Sequence, residues 1–259
     1  MELKIISYNV NGIRAAIRKG FFEWLKAESP DIVLIQETKA KPEQIDLSEA
    51  EEMGYKSYFH SAEKAGYSGV AILSKLEPDA VVEGCGLEKY DREGRILRAD
   101  FGDLSVLSTY FPSGSSGDAR QEFKMDFLAD FSKFIENLKA KRPNLVIGGD
   151  YNICHRAIDI HNPVSNKKSS GFLPEEREWV SRFLESGFID SFRKINGDIA
   201  DQYSWWTYRF GARKKNLGWR IDYHMVSQPL ENSIVKAHIL PDVFHSDHCP
   251  VSLELNFND

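Results

Sequence analysis

Residues 145–152 read Leu145-Val146-Ile147-Gly148-Gly149-Asp150-Tyr151-Asn152. Three consecutive apolar residues make the pattern of a short buried strand. The two glycines then free the backbone to turn, so an acid and an amide, Asp150 and Asn152, stand at the strand's end. The same grammar recurs twice upstream. Ile32-Val33-Leu34-Ile35-Gln36 runs into Glu37, and Leu3-Lys4-Ile5-Ile6-Ser7-Tyr8-Asn9-Val10 runs into Asn11-Gly12, carrying Asn9 and Asn11. Downstream, Asp247-His248 adjoins an apolar strand pattern over 250–255. Strands that leave a core along one edge deliver their terminal side chains to a common surface, so these residues are expected to converge.

The rest of the chain surrounds these strands with others. Apolar spacing of three and four predicts helices over 13–27, 119–141 and 174–184, with a polar helical stretch over 42–52. Further strands are expected at 55–60, 69–74, 96–101, 104–111, 219–227 and 233–239. Residues 155–171 show no period and read as a long loop. Many short strands with few helices favour a layered α/β domain, a two-sheet core flanked by helices, over an alternating βαβ series. Without a linker, repeat or low-complexity tract, residues 1–259 read as one domain.

Composition narrows the class. Of the 259 residues 42% are hydrophobic, enough for a substantial core and too many for a disordered chain. Apolar runs fall far short of the roughly 18 residues that cross a bilayer. The first residues lack a secretory signal, so an intracellular location is expected. Cys85, Cys154 and Cys249 are widely spaced and form no C-x-x-C pair, as expected of reduced thiols. A net charge of -6 argues against nucleic acid as a partner unless basic residues are sorted locally.

Taken singly, each polar cluster has a plain reading beside a chemical one. Glu37 is a hard oxygen donor for Mg²⁺ or Mn²⁺, or a solvated strand end. Asp150 and Asn152 could orient water and donate to a developing oxyanion, or simply close their own turn. His245-Ser246-Asp247-His248-Cys249 has the residue types of a zinc site without its spacing. His248 reads better as an imidazole oriented beside phosphate, with Asp222 a candidate partner. Tyr203-Ser204-Trp205-Trp206-Thr207-Tyr208-Arg209-Phe210, followed by Arg213-Lys214-Lys215 and Trp219-Arg220, mixes flat rings and positive charge. That composition suits nucleic acid and a packed aromatic core alike.

In order, Ser7-Tyr8-Asn9-Val10-Asn11-Gly12-Ile13-Arg14, Ile35-Gln36-Glu37-Thr38-Lys39, Gly149-Asp150-Tyr151-Asn152, Gly218-Trp219-Arg220-Ile221-Asp222-Tyr223 and Ser246-Asp247-His248-Cys249-Pro250 resemble the exonuclease III family of apurinic/apyrimidinic endonucleases. The resemblance spans essentially the whole chain. It implies the four-layered α/β/β/α sandwich of the endonuclease/exonuclease/phosphatase superfamily, with two packed mixed sheets. It also implies Mg²⁺-dependent incision of duplex DNA 5′ to an abasic site, leaving a 3′-hydroxyl, with 3′-end processing and 3′→5′ exonuclease activity. Mn²⁺ would substitute, and one ion or two is left open.

By the same resemblance Glu37 is the principal metal ligand with Asn11 and Asp247 beside it. Asp150 activates water, and Asn9, Tyr110, Asn152 and His248 serve the phosphate, with Asp222 orienting the histidine. Trp205, Trp219 and Ile221 form the abasic-sugar pocket, while Asn166, Lys167, Lys168 and Arg209 meet the DNA backbone. The implied partner is duplex DNA with abasic sites or blocked 3′ ends, met by a monomer in the cytoplasm, at the nucleoid of a bacterium or in the nucleus of a eukaryote. Departures are Asn11, an Asp in some relatives, the loop Ser113-Gly114-Ser115-Ser116-Gly117, which lacks an inserting Arg, and Ser169 in place of an Asn. The rival readings are a phosphatase or phosphodiesterase acting on inositol phosphate, lipid or RNA, and a non-catalytic lesion-binding protein.

Overall fold

The apolar runs assemble as two six-stranded sheets in a computed structural model that describes residues 2–256. Met1 and residues 257–259, the ends of the expected 1–259 domain, lie outside the described residues. β1 (Glu2–Asn9), β2 (Ile32–Gln36), β3 (Lys56–His60) and β4 (Val70–Ser74) open the first sheet. The second comprises β5 (Ala80–Glu83), β6 (Ile96–Phe101), β7 (Leu104–Tyr110), β8 (Asn144–Asp150), β9 (Phe188–Asp190) and β10 (Asp222–Ser227). The chain then returns to the first sheet with β11 (Ile234–Ile239) and β12 (Val251–Asn256). The strand orders are β11-β12-β1-β2-β4-β3 and β5-β6-β7-β8-β10-β9.

Both sheets are mixed in the same way. Each has one parallel pair at its centre, β1 with β2 and β7 with β8, and is otherwise antiparallel. Two parallel neighbours end on the same side, so four polar strand ends are delivered together. Alternation fills the space between the sheets: Leu3, Ile5, Ile32 and Leu34 meet Leu104, Val106, Val146 and Val226. The other face of the first sheet packs Tyr8, Val33 and Ile35 on Phe21, Phe22 and Leu25 of the helix Phe21–Glu28. The outer face of the second packs Leu107, Leu145 and Ile147 on Phe127, Phe131 and Ile135 of the helix Asp118–Lys141 and on Val180 and Phe183 of the helix Pro174–Glu185. Helix, sheet, sheet and helix are therefore the four layers expected.

Several boundaries differ from expectation for local reasons. The helix expected over 13–27 is two, Ile13–Ile17 and Phe21–Glu28, broken where Gly20 takes φ 94. The stretch over 42–52 is a 3₁₀ turn, Pro42–Gln44, and a separate short helix, Ser48–Glu52. β10 begins at Asp222 instead of Trp219, because Trp219 makes only isolated bridges to Ile160 and Trp205. The long loop over 155–171 contains two short helical turns, Ala157–Asp159 and Pro163–Asn166. β5 and β9 were not expected: β5 is an edge strand with a mostly exposed Ala-Val-Val-Glu pattern, and β9 has three residues. No helix among the described residues is long and apolar enough to cross a membrane.

Candidate active site

The ends of the two parallel pairs meet across the sandwich. Asn9, the last residue of β1, donates from Nδ2 to Glu37 Oε1 and to Asp150 Oδ2, both at 2.9 Å. One buried amide thus ties together the ends of β1, β2 and β8. Beneath them Gln36 donates from Nε2 to Ser108 Oγ at 3.1 Å, a polar stitch between the sheets. Asn11 and Glu37 turn the chain out of β1 and β2 at φ 47 and φ 53, left-handed conformations uncommon in residues other than glycine.

The antiparallel neighbours bring the remaining groups. β10 pairs Asp222 directly with Asp150, and the segment before β12 places His248 above them. His248 Nδ1 lies 2.9 Å from Asp222 Oδ2, which also accepts from Ser204 Oγ at 2.6 Å. Its Nε2 faces Asp150 Oδ2 at 3.8 Å. Burial alone would pull this imidazole down, but the carboxylates of Asp222 and Asp150 outweigh it and hold His248 protonated up to about pH 10. Asp150 goes the opposite way from other acids that face a cation. Burial, with Asp222 and Glu37 adding repulsion, raises it to about 7 despite His248. For Asp247, His248, Trp205 Nε1 and Asn11 Nδ2 more than offset burial and keep the carboxyl below its ordinary range.

A cavity of about 550 Å³ opens above these groups, lined by Glu37, Tyr110, Asp150, Asn152, Asp247 and His248. Trp205, Trp219 and Ile221 add an apolar stretch of wall next to Asp247 and His248, the two indoles meeting edge to face with centroids 5.8 Å apart. Tyr110 is half-buried, and desolvation beside Glu37 and Asp150 pushes its phenol well up, so the hydroxyl keeps its proton and can donate. The arrangement offers a charged donor, a neutral donor, a carboxylate base and an apolar wall within one pocket.

A model of the endonuclease/exonuclease/phosphatase family matches residues 6–248. The chain belongs to this family. Among its relatives are an exodeoxyribonuclease of Bacillus subtilis, 44% identical over 98% of this chain and all of the relative, and a DNA repair nuclease of Danio rerio, 42% identical over 98% of this chain and 82% of the relative. Among solved structures, an AP endonuclease from Archaeoglobus fulgidus superposes with a TM-score of 0.90 at 31% identity, covering 98% of this chain and all of that one.

The donor set of this family member fits a hard divalent cation. Oxygen or nitrogen atoms of Glu37, Asp150 and His248 lie within 4.8 Å of one another. With His248 protonated, the carboxylates of Glu37 and Asp150 are the available donors, and Mg²⁺ and Mn²⁺ prefer such oxygens. Lys39 Nζ sits 2.7 Å from Glu37 Oε2 and donates to Asn11 Oδ1, so Glu37 and Asn11 already face a positive charge.

Not every expected residue joins the pocket. Asn166 turns its amide to the carbonyls of His161 and Asn162, both at 3.1 Å, while Lys167, Lys168 and Arg209 are exposed outside the lining. Residues the sequence did not single out do contribute. Ser204 holds Asp222 from behind, and Ser170 lines the cavity beside Ser113, Ser115 and Ser169, which the sequence marked only as departures from the family's pattern. Lys124, fully buried on the long helix, donates to the Asn152 carbonyl at 2.8 Å and to Glu176 at 2.6 Å. Glu176 in turn accepts from the backbone N–H groups of Gly171 and Leu173. A serine carries no pattern in sequence, and a lysine on an amphipathic helix reads as solvated. Only Lys124's position at a helix face otherwise rich in phenylalanine could have flagged it.

Proposed function

We propose that this family member is a divalent-metal-dependent DNA-repair nuclease that hydrolyses the phosphodiester 5′ to an abasic site in duplex DNA, leaves a 3′-hydroxyl, and trims 3′ ends with the same groups. The observation that carries this reading is the pairing of a carboxylate and imidazole floor, Glu37, Asp150 and His248, with an apolar wall of Trp205, Trp219 and Ile221. A repair nuclease and an exodeoxyribonuclease among its relatives support it.

Deprotonated Asp150 takes a proton from water as it attacks phosphorus, and the Asn152 amide orients that carboxylate from 3.2 Å. His248, charged and aligned by Asp222 and Ser204, donates from Nε2 to a phosphoryl oxygen with Tyr110 as a neutral donor, whereas Asn9, expected at the phosphate, spends both amide hydrogens on Glu37 and Asp150 and acts by holding them. Glu37 and Asp150, with Asn11 and Asp247 beside them, would hold Mg²⁺ or Mn²⁺, and a bound ion neutralises charge on the phosphoryl and leaving oxygens. One ion suffices for this account. The apolar wall receives the baseless sugar, which leaves the helix at lower cost than an intact nucleotide because it has no stacking to lose. Asn166, Lys167, Lys168 and Arg209 meet backbone phosphates outside the pocket, and the enzyme works as a monomer.

The test is single-turnover cleavage of a duplex carrying one stable abasic analogue, with Mg²⁺ or EDTA, beside an intact duplex and an inositol phosphate. One Mg²⁺-dependent cut immediately 5′ to the lesion is expected. Binding without cleavage would make the protein a lesion reader, and phosphate release from the inositol phosphate would make it a phosphatase.

A further inference from the structure

The segment 241–250, which delivers Asp247 and His248, forms no ladder apart from one isolated bridge at His248. Its carbonyls must therefore find partners elsewhere. One side chain supplies several of them. Arg213 donates from Nη1 to the carbonyls of Ser246 at 3.0 Å and His248 at 3.5 Å, and from Nη2 to those of Pro241 at 2.8 Å and Val243 at 2.6 Å. Its guanidinium lies over the rings of Trp206, 4.7 Å away, and Phe244, 4.5 Å away. Trp206 closes the circuit, since its backbone N–H donates to the Asp247 carbonyl at 3.0 Å.

We propose that Arg213 is a positioning residue of the active site: its planar fork fixes the backbone of 241–248 against the aromatic segment 203–219 and so sets where Asp247 and His248 stand. It lies outside the pocket lining and touches no reacting atom. Four carbonyls spread over eight residues suit a rigid five-donor fork; a lysine ammonium, a point donor with three hydrogens, cannot span them. Displacing a reacting group by about 1 Å costs about 10²-fold in rate, so the clamp should matter to turnover far more than to DNA affinity. The inference rests on the nuclease reading.

The full chain as Arg213→Ala is expected to lose about 10²-fold in single-turnover cleavage of the abasic duplex, with DNA affinity within about threefold of wild type. Guanidinium chloride at tens of millimolar should restore about tenfold of that rate, whereas sodium chloride at equal ionic strength should not. Arg213→Lys, which keeps a cation over the rings should the alanine variant fail to fold, is expected to stay about tenfold below wild type. A loss explained by the unfolded fraction, a response alike to both salts, or a wild-type rate in the lysine variant would each overturn the clamp. A second readout needs no cleavage: the downfield Nδ1 proton of His248 should shift or broaden in the alanine variant and recover with guanidinium. An unchanged resonance overturns the clamp, whereas a wild-type protein that leaves abasic DNA intact overturns the nuclease reading alone.

Discussion

The floor of the pocket and its rim are built by opposite means. On the floor, Asn9, Asp150, Asp222 and His248 are buried, stand at or beside strand ends, and are held by mutual hydrogen bonds of about 3 Å. On the rim, Tyr208 and Phe210 are 66% and 83% exposed, Phe210 has φ 60, and Lys167, Lys168 and Arg209 reach into solvent. The floor must hold reacting groups to fractions of an ångström, which only the ladder and close packing enforce. In the proposed function the rim meets a long, deformable polyanion, for which adjustable side chains on irregular backbone suffice. Changes on the floor should therefore move the rate, and changes on the rim should move affinity and its dependence on salt.

The largest expected effect is on the floor. Asp150→Asn should lower single-turnover cleavage by about 10⁴-fold with DNA affinity changed only a few-fold, measured by quench-flow beside a binding titration. Equal losses in both would break the contrast. Glu37→Gln should weaken Mn²⁺ binding by about 10²-fold in a metal titration and lower the rate at fixed metal, while thermal unfolding in EDTA stays near that of wild type. An unchanged metal requirement would remove Glu37 from its assigned place.

The pH profile sharpens the contrast within the floor itself. In the proposed mechanism Asp150 acts unprotonated, so the rate should rise with pH through about 7, and His248 acts protonated, so it should fall through about 10. A cation near Asp150 favours its charged form, so more Mg²⁺ should carry the acid limb to lower pH. An acid limb insensitive to metal concentration would separate Asp150 from the cation.

Smaller effects belong to the wall and rim. Trp219→Ala should narrow the ratio of abasic to intact duplex cleavage by about tenfold, because removing one apolar wall costs about 1–2 kcal/mol of fit. Lys167→Ala and Lys168→Ala should each lower the slope of log affinity against log salt by about one, with cleavage of the bound complex unchanged. A rate effect from either lysine would erase the division between floor and rim.

How much of this was legible in the chain follows from the same contrast. Strand ends were legible: an apolar run that stops at Glu37 or Asp150 announces both a buried strand and a polar group at its mouth. The aromatic and basic segment 203–219 was legible only as a composition, since Trp206 is buried and stacked under Arg213 while Trp205 lines the pocket, and neighbouring tryptophans look alike in sequence. Ser204 left no trace and Lys124 only its place on a phenylalanine-rich helix face, because a serine or a buried ion pair has no period.

The sequence by itself determined the layered α/β class, the central strands and the set of acids, amides and imidazole at their ends, because two-residue alternation and long apolar runs are local properties of the chain. It did not decide which of those groups touch. Asn9 reaches Asp150 across 141 positions because the two sheets pack face to face, and Asn11 reaches Asp247 across 236 because β12 pairs with β1, each at 2.9 Å. The protonation states follow from that closure as well: a carboxyl pushed up beside an imidazole held charged exists only where burial and neighbours act together, and both are properties of the folded chain.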